Sequence, residues 1–114
     1  MEYDLEERTY KFTKRCKDFI KKLPKTTANI EYGKQLIKSS GSQAANYIEA
    51  SEKLSKKDFL FRMKIARKET KESTLWLRLC ETNDDQELEK EKNKLIQESM
   101  ELRNIFTSII KKSE

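Results

Sequence analysis

The chain has 114 residues, of which 39% are charged and 35% hydrophobic, so it has room for one domain with one small core. Two Gly, one Pro and a formal net charge of +5 leave few turn signals and a mildly basic surface. No sustained apolar–polar alternation bounded by turns is present, which argues against strands, and no run of about 18 apolar residues reads as a membrane span.

The first helix is expected from about Asp4 to Lys22. Leu5, Thr9, Phe12, Cys16, Phe19 and Leu23 recur at helical spacing as one seam, while Lys11, Lys14, Lys17, Lys21 and Lys22 fall on the outer arc. Asp4, Glu6 and Glu7 lie near the N-terminus, where the helix dipole favours negative charge. Leu23-Pro24 ends the helix, because a residue before Pro avoids the α region. In the polar connection Lys25–Asn29, the side chains able to cap the next helix are Thr26, Thr27 and Asn29.

The second helix is expected over residues 28–54, with Ile30, Gly33, Ile37, Ala44, Ile48 and Ser51 facing inward. Its stripe is unusually small: Gly33, Ser40, Gly41, Ala44 and Ala45 would admit a neighbouring backbone. Each interior Gly weakens a helix by about 1 kcal/mol relative to Ala, and the alternative at Gly41 is a break in the SSGS run.

The third helix is expected over residues 56–81, with Ser55 and Asp58 forming a capping box. Phe59, Met63, Ala66, Thr70, Ser73, Leu77 and Cys80 form its core stripe. Phe61, Ile65, Trp76 and Leu79 form a second apolar seam beside it. Lys57, Lys64, Arg67, Lys68 and Lys71 crowd the face opposite the core stripe. The polar run from Thr82 to Asp85 precedes a fourth helix over residues 85–111, where Leu88, Leu95, Leu102 and Ile109 recur every seven residues. Ser99 and Phe106 fill intermediate positions of that seam, and Lys92 interrupts it. Four amphipathic helices with short connections predict an all-α, antiparallel up-down-up-down four-helix bundle in a single domain.

Charge is distributed unevenly. Residues 11–25 carry seven Lys/Arg against one Asp, residues 53–72 carry eight against three acids, and residues 81–101 carry eight acids against three Lys. The chemistry of enzymes is poorly represented. There is no His, hence no Ser–His or Cys–His pair and no ExxH constellation. Cys16 and Cys80 sit apart on apolar stripes as small hydrophobes, not as a disulfide or metal pair. Gly33-Lys34-Gln35 lacks the remainder of a phosphate loop. No catalytic residue, metal or cofactor is expected.

What remains is surface. Lys14, Lys17 and Lys21 on the first helix and Lys64, Arg67, Lys68 and Lys71 on the third are the candidate nucleic-acid contacts. Cations on a rigid face neutralise phosphates without reading sequence. Phe61, Ile65, Trp76 and Leu79 are the candidate subunit interface, since a bundle needs one apolar stripe per helix and this helix has two.

Three stretches carry a resemblance: Asp4–Phe12 (DLEERTYKF), Gly33–Ala50 (GKQLIKSSGSQAANYIEA) and Asp58–Leu79, with its DF…KIA and WLRL segments. They resemble the bacterial four-helix-bundle family encoded within intervening sequences of 23S ribosomal RNA genes. Gln43 stands where that family usually has an aliphatic residue, and Leu75 where an aromatic commonly precedes the Trp. The resemblance implies a cytosolic bundle that assembles as a ring, commonly a homopentamer, with no known enzymatic activity, and a structural place in the ribosome is not inferred from it. The family is also similar to the accessory protein of diversity-generating retroelements, a basic pentameric barrel that works with a reverse transcriptase and nucleic acid. The expectation is therefore a cytoplasmic, self-associating bundle that binds RNA or DNA. The alternative is a scaffold for an acidic protein or a polymerase-like enzyme.

Overall fold

The computed structural model describes residues 4–52 and 55–114. Its elements are α1 (Leu5–Lys22), α2 (Thr27–Ala50), α3 (Lys56–Leu79) and α4 (Gln86–Ser113), arranged as an antiparallel four-helix bundle of 46 × 25 × 19 Å. Each helix packs against the two next to it around the bundle. The α2–α3 seam is the most extensive and the α1–α4 seam the least. Among the described residues no close backbone approach joins α1 to α3 or α2 to α4, so these pairs stand at opposite corners.

Local chemistry sets the ends. Thr26 Oγ1 accepts from the Asn29 amide at 3.0 Å, Ser55 Oγ from the Asp58 amide at 3.0 Å and Asp85 Oδ1 from the Leu88 amide at 3.0 Å. Leu23, before Pro24, is extended at φ −70° and ψ 149° and closes α1. Asn83 and Asp84 turn the chain between α3 and α4 with φ of 53° and 64°, a left-handed conformation that Asn and Asp tolerate better than most residues.

The expected seam of α1 is buried throughout, from Leu5 to Leu23. On α3, Met63, Ala66, Thr70, Ser73 and Leu77 are buried and Phe59 is half-buried. On α4 the seam ends on Ile110, which is buried, while Ile109 is half-buried against the core. Lys92, the charged interruption, is satisfied there: its Nζ donates to the Cys80 carbonyl oxygen at 2.8 Å, at the negative end of the α3 dipole.

The expectation for α2 is wrong in two respects. The helix ends at Ala50, and residues 53 and 54, the expected last turn, lie outside the described residues. Its inward face is also rotated from the one expected: Asn29, Leu36, Gln43 and Ala50 recur every seven residues and are buried, with Ser39 and Ser40 beside them, and of the expected face only Gly33 and Ala44 are buried. Ile30, Ile37 and Ile48 are 45%, 51% and 40% exposed, and Ser51 is also exposed. The physical reason is that α2 meets its neighbours through small and hydrogen-bonded groups. Ser39 and Ser73 hydroxyls share a 2.8 Å hydrogen bond, and Thr13 Oγ1 donates to the Ser40 carbonyl oxygen at 2.7 Å. A Cβ on Gly33 would lie 3.0 Å from Ile20 Cγ2, so Gly33 is where α1 comes close. Gly41 neither breaks the helix nor faces a neighbour within 4 Å.

Two buried amides are placed differently. The Asn29 side chain donates to the carbonyl oxygens of Pro24 (3.0 Å) and Glu81 (2.8 Å) and accepts from the Glu81 amide (2.8 Å), tying the α1–α2 connection to the end of α3. Gln43 Nε2 donates to the Thr9 carbonyl oxygen at 3.1 Å, but its Oε1 is buried without a partner among the described residues. Asn29→Ala, which orphans the Glu81 amide and carbonyl while the Pro24 carbonyl keeps the Thr26 amide, is expected to lose about 2–3 kcal/mol in urea unfolding. Gln43→Met keeps the volume and removes the orphaned oxygen. Its stability is expected to lie within about 1 kcal/mol of the parent or above it by the same measurement.

Candidate nucleic-acid interface

The basic residues of α1 divide into two sets. Arg8 and Arg15, one heptad apart, turn toward α4. Arg8 Nε and Nη2 donate to Glu98 at 2.7 and 2.9 Å, Nη2 also reaches Glu101 at 2.8 Å, and Arg15 Nε reaches Glu91 at 3.3 Å. The Glu98 hydrogen bond raises the Arg8 guanidinium above its ordinary pKa, and hydrogen bonds from Gln97 and then Arg8 hold the Glu101 carboxyl below its own. The acid-rich start of α4 is thus partly neutralised within the subunit. The pairs of Arg8 with Glu98 and Arg15 with Glu91 are half-exposed and each contributes roughly 0.2–1 kcal/mol.

The lysines form the second set. Lys14, Lys17 and Lys21 are exposed and make no ion pair among the described residues. Lys14 and Lys17 border a groove between α1 and α2 whose other lining residues are Tyr10, Thr13, Ile37 and Ser40. Among the described residues no carboxylate lines this groove. The grooves along α1–α4 contain Asp18, Asp85, Glu87 and Glu91, or Glu98 and Glu101.

On α3, Lys64 approaches Glu114 at 3.7 Å and Lys68 approaches Glu69 at 3.7 Å, while Arg67 and Lys71 have no ion pair among the described residues. Burial, then the charge of Glu72, raises the Glu69 carboxyl against the opposing pull of Lys68. Because α1 and α3 are diagonal, the structure does not bring the two predicted stripes together. It sets them on opposite corners of the bundle.

The four apolar residues proposed for an interface are not equivalent. Phe61 is 58% exposed, with the Arg62 guanidinium 5.7 Å from its ring centroid, and Leu79 is 39% exposed. Ile65 is half-buried, and Trp76 is half-buried in the α2–α3 seam, stacked on Tyr32 with ring centroids 6.1 Å apart. Leu75, 45% exposed, belongs with Phe61 and Leu79; its position two heptads after Phe61 was the signal for it. Ile37 and Met100, 51% and 42% exposed, were missed by the sequence, whereas Tyr10, 54% exposed, is the one aromatic beside the basic arc of α1.

Cys16 and Cys80 are free and buried. Burial pushes the Cys16 thiol well up, and it raises that of Cys80 to about 11 against the opposing charge of Lys92. Among the described residues no three His, Cys, Asp or Glu side chains converge as a metal site, and no helix is long and apolar enough to cross a membrane.

A family model described as 23S rRNA-intervening sequence protein matches residues 1–108. Among solved structures, the chain is similar to a protein of unknown function from the S23 ribosomal protein family of Bacteroides thetaiotaomicron. The two share 28% identity at a TM-score of 0.81, covering 97% of this chain and 99% of that one. A search of curated proteins returns no match.

The thiols give a pH prediction. A folded-state pKa raised above the unfolded value of about 8.5 contributes stability below that value, and the contribution is lost as pH rises toward the folded one. With Cys80 at about 11, unfolding free energy is expected to fall between about pH 8.5 and 11. Urea titrations across that range test it, and Cys80→Ala should reduce the slope to the part that Cys16 contributes.

Proposed function

The chain belongs to the 23S rRNA-intervening sequence protein family, and on that premise we propose that it is a non-enzymatic, self-associating bundle that binds RNA or another nucleic acid through its basic helix faces. One observation carries this reading. Lys14, Lys17 and Lys21 on α1 and Arg67 and Lys71 on α3 lack an acid partner among the described residues, while the arginines of α1 are spent on α4. Cations left uncompensated on rigid helices release counterions from phosphate backbones, so binding is salt-sensitive and indifferent to sequence. The reading needs no metal or cofactor and places the protein in the cytoplasm, where buried thiols stay reduced.

Self-association is assigned to α3, where Phe61, Leu75 and Leu79 are exposed on one stripe and the outer edges of Ile65 and Trp76 adjoin it. The ring of five implied by the resemblance is the expected assembly. A second reading rests on the same stripe: apolar groups beside Lys64 and Lys68 also suit a protein partner with an acidic surface, such as a polymerase-like enzyme.

Fluorescence anisotropy with a structured RNA and a DNA duplex at several salt concentrations tests the first reading. Binding is expected to weaken linearly on a log–log plot, with a slope of about −0.9 per duplex phosphate contacted. The triple change Lys64→Glu, Arg67→Glu and Lys71→Glu is expected to weaken binding at least tenfold with helicity and mass unchanged. Unaltered binding would move the site off α3. Absence of binding at about 50 mM salt favours the protein scaffold. Phe61→Glu is expected to lower the oligomer mass in sedimentation equilibrium, and an unchanged mass removes the α3 stripe from the interface.

A further inference from the structure

Nucleic acid can meet this surface as a duplex, offering only phosphates, or as a single strand, offering bases as well. We propose that the α1–α2 groove takes an unpaired base of a single-stranded nucleic acid, with Tyr10 as the stacking surface and Lys14 and Lys17 holding the adjoining phosphates. This rests on the nucleic-acid reading above and narrows it to a substrate class.

The groove encloses about 280 Å³, and its lining is mostly apolar. Tyr10 and Ile37 supply the apolar surface, Thr13 and Ser40 the hydroxyls, and Lys14 and Lys17 the charge. Tyr10 is 54% exposed and Ile37 is 51% exposed, so neither is used by the subunit's own core. A tyrosine held half out of the surface is a stacking platform that suits any base, since every base has a π-face. The Thr13 hydroxyl is anchored to the Ser40 carbonyl oxygen at 2.7 Å, which fixes the separation of α1 and α2 at this level. A helix rise of about 1.5 Å per residue sets Lys14, Lys17 and Lys21 about 6, 10 and 16 Å beyond Tyr10 along α1. One strand following α1 from Tyr10 therefore meets a cation at each step.

Charge selects this groove over its counterpart on α3. Phe61 is as exposed as Tyr10, but its hollow is lined by Glu49 and Asp58, and Arg62 already lies over its ring at 5.7 Å. Carboxylates repel phosphate, and an occupied ring face offers a base less. Among the described residues the α1–α2 groove combines aromatic surface, uncompensated cations and no carboxylate. A duplex keeps its bases stacked inside, so it can use the lysines but not Tyr10.

The test compares three probes by anisotropy at fixed salt: a thymidine oligonucleotide, an abasic oligonucleotide of equal length, and a duplex. The parent protein is expected to bind the intact strand about five- to hundredfold more tightly than the abasic one. Tyr10→Ala is expected to erase most of that difference, Tyr10→Phe to retain it, and Lys14→Glu with Lys17→Glu to weaken both strands. Equal affinity for intact and abasic strands in the parent would overturn the base-stacking proposal while leaving phosphate binding standing. Failure of all three probes to bind would overturn both readings. If Tyr10→Ala or Ile37→Glu changes the oligomer mass with helicity intact, the groove is a subunit contact and the proposal falls.

Discussion

The contact between α2 and its neighbours is the constraint on which the rest of the bundle depends. Its inward face presents Asn29, Gly33, Leu36, Ser39, Ser40 and Gln43, with one large aliphatic residue among them. Such a face cannot hold helices together by apolar area alone. It works because small residues allow close approach and because its polar groups find partners across the seams: Ser39 with Ser73, Asn29 with the end of α3, and Ser40 with Thr13. Most of the large apolar volume of the core comes from the other helices, through Phe12, Phe19, Met63, Leu77, Leu95, Leu102 and Phe106, and α2 adds Leu36 with the half-buried Tyr32 and Tyr47.

That division has a consequence for the surface. A helix whose polar groups turn inward must send its branched aliphatics outward, and Ile30, Ile37 and Ile48 are accordingly exposed. With Tyr10 of α1 they make an apolar side that the monomer does not use, separate from the stripe of Phe61, Leu75 and Leu79 on α3. Exposed apolar surface of this kind marks places where soluble proteins meet something else.

Electrostatics is divided with the same economy. Arg8 and Arg15 close the weakest seam, α1–α4, by pairing with Glu98, Glu101 and Glu91. Arginine suits that task, since its planar fork engages a carboxylate through two nitrogens at once. The lysines stay outside as point charges on flexible stems. A chain of net charge +5 thus keeps an outward basic side on α1, because three carboxylates of its acid-rich segment are taken up by the inward-turned arginines.

The sequence by itself determined the helices α1, α3 and α4, the buried stripes of α1 and α3 and most of that of α4, the capping side chain Ser55 and the bundle class. Those follow from local rules: apolar spacing near 3.6 residues, a capping hydroxyl or carboxylate, and the restriction imposed by Pro24. Family membership was legible in the same way, from the runs around Gly33–Ala50 and Asp58–Leu79. Tertiary structure alone decided which face of α2 is inside. The single-helix rule follows hydrophobicity, and Ile30, Ile37 and Ile48 outweigh Asn29 and Gln43 on that scale until their cross-seam hydrogen bonds are known. It alone decided that Trp76 stacks on Tyr32, that Lys92 caps α3, and that the cations of α1 separate into paired arginines and free lysines. It also set the two basic stripes at opposite corners and made one groove of Tyr10 and Ile37, which lie on different helices. Periodicity describes one helix at a time, whereas a binding surface is made where two of them meet.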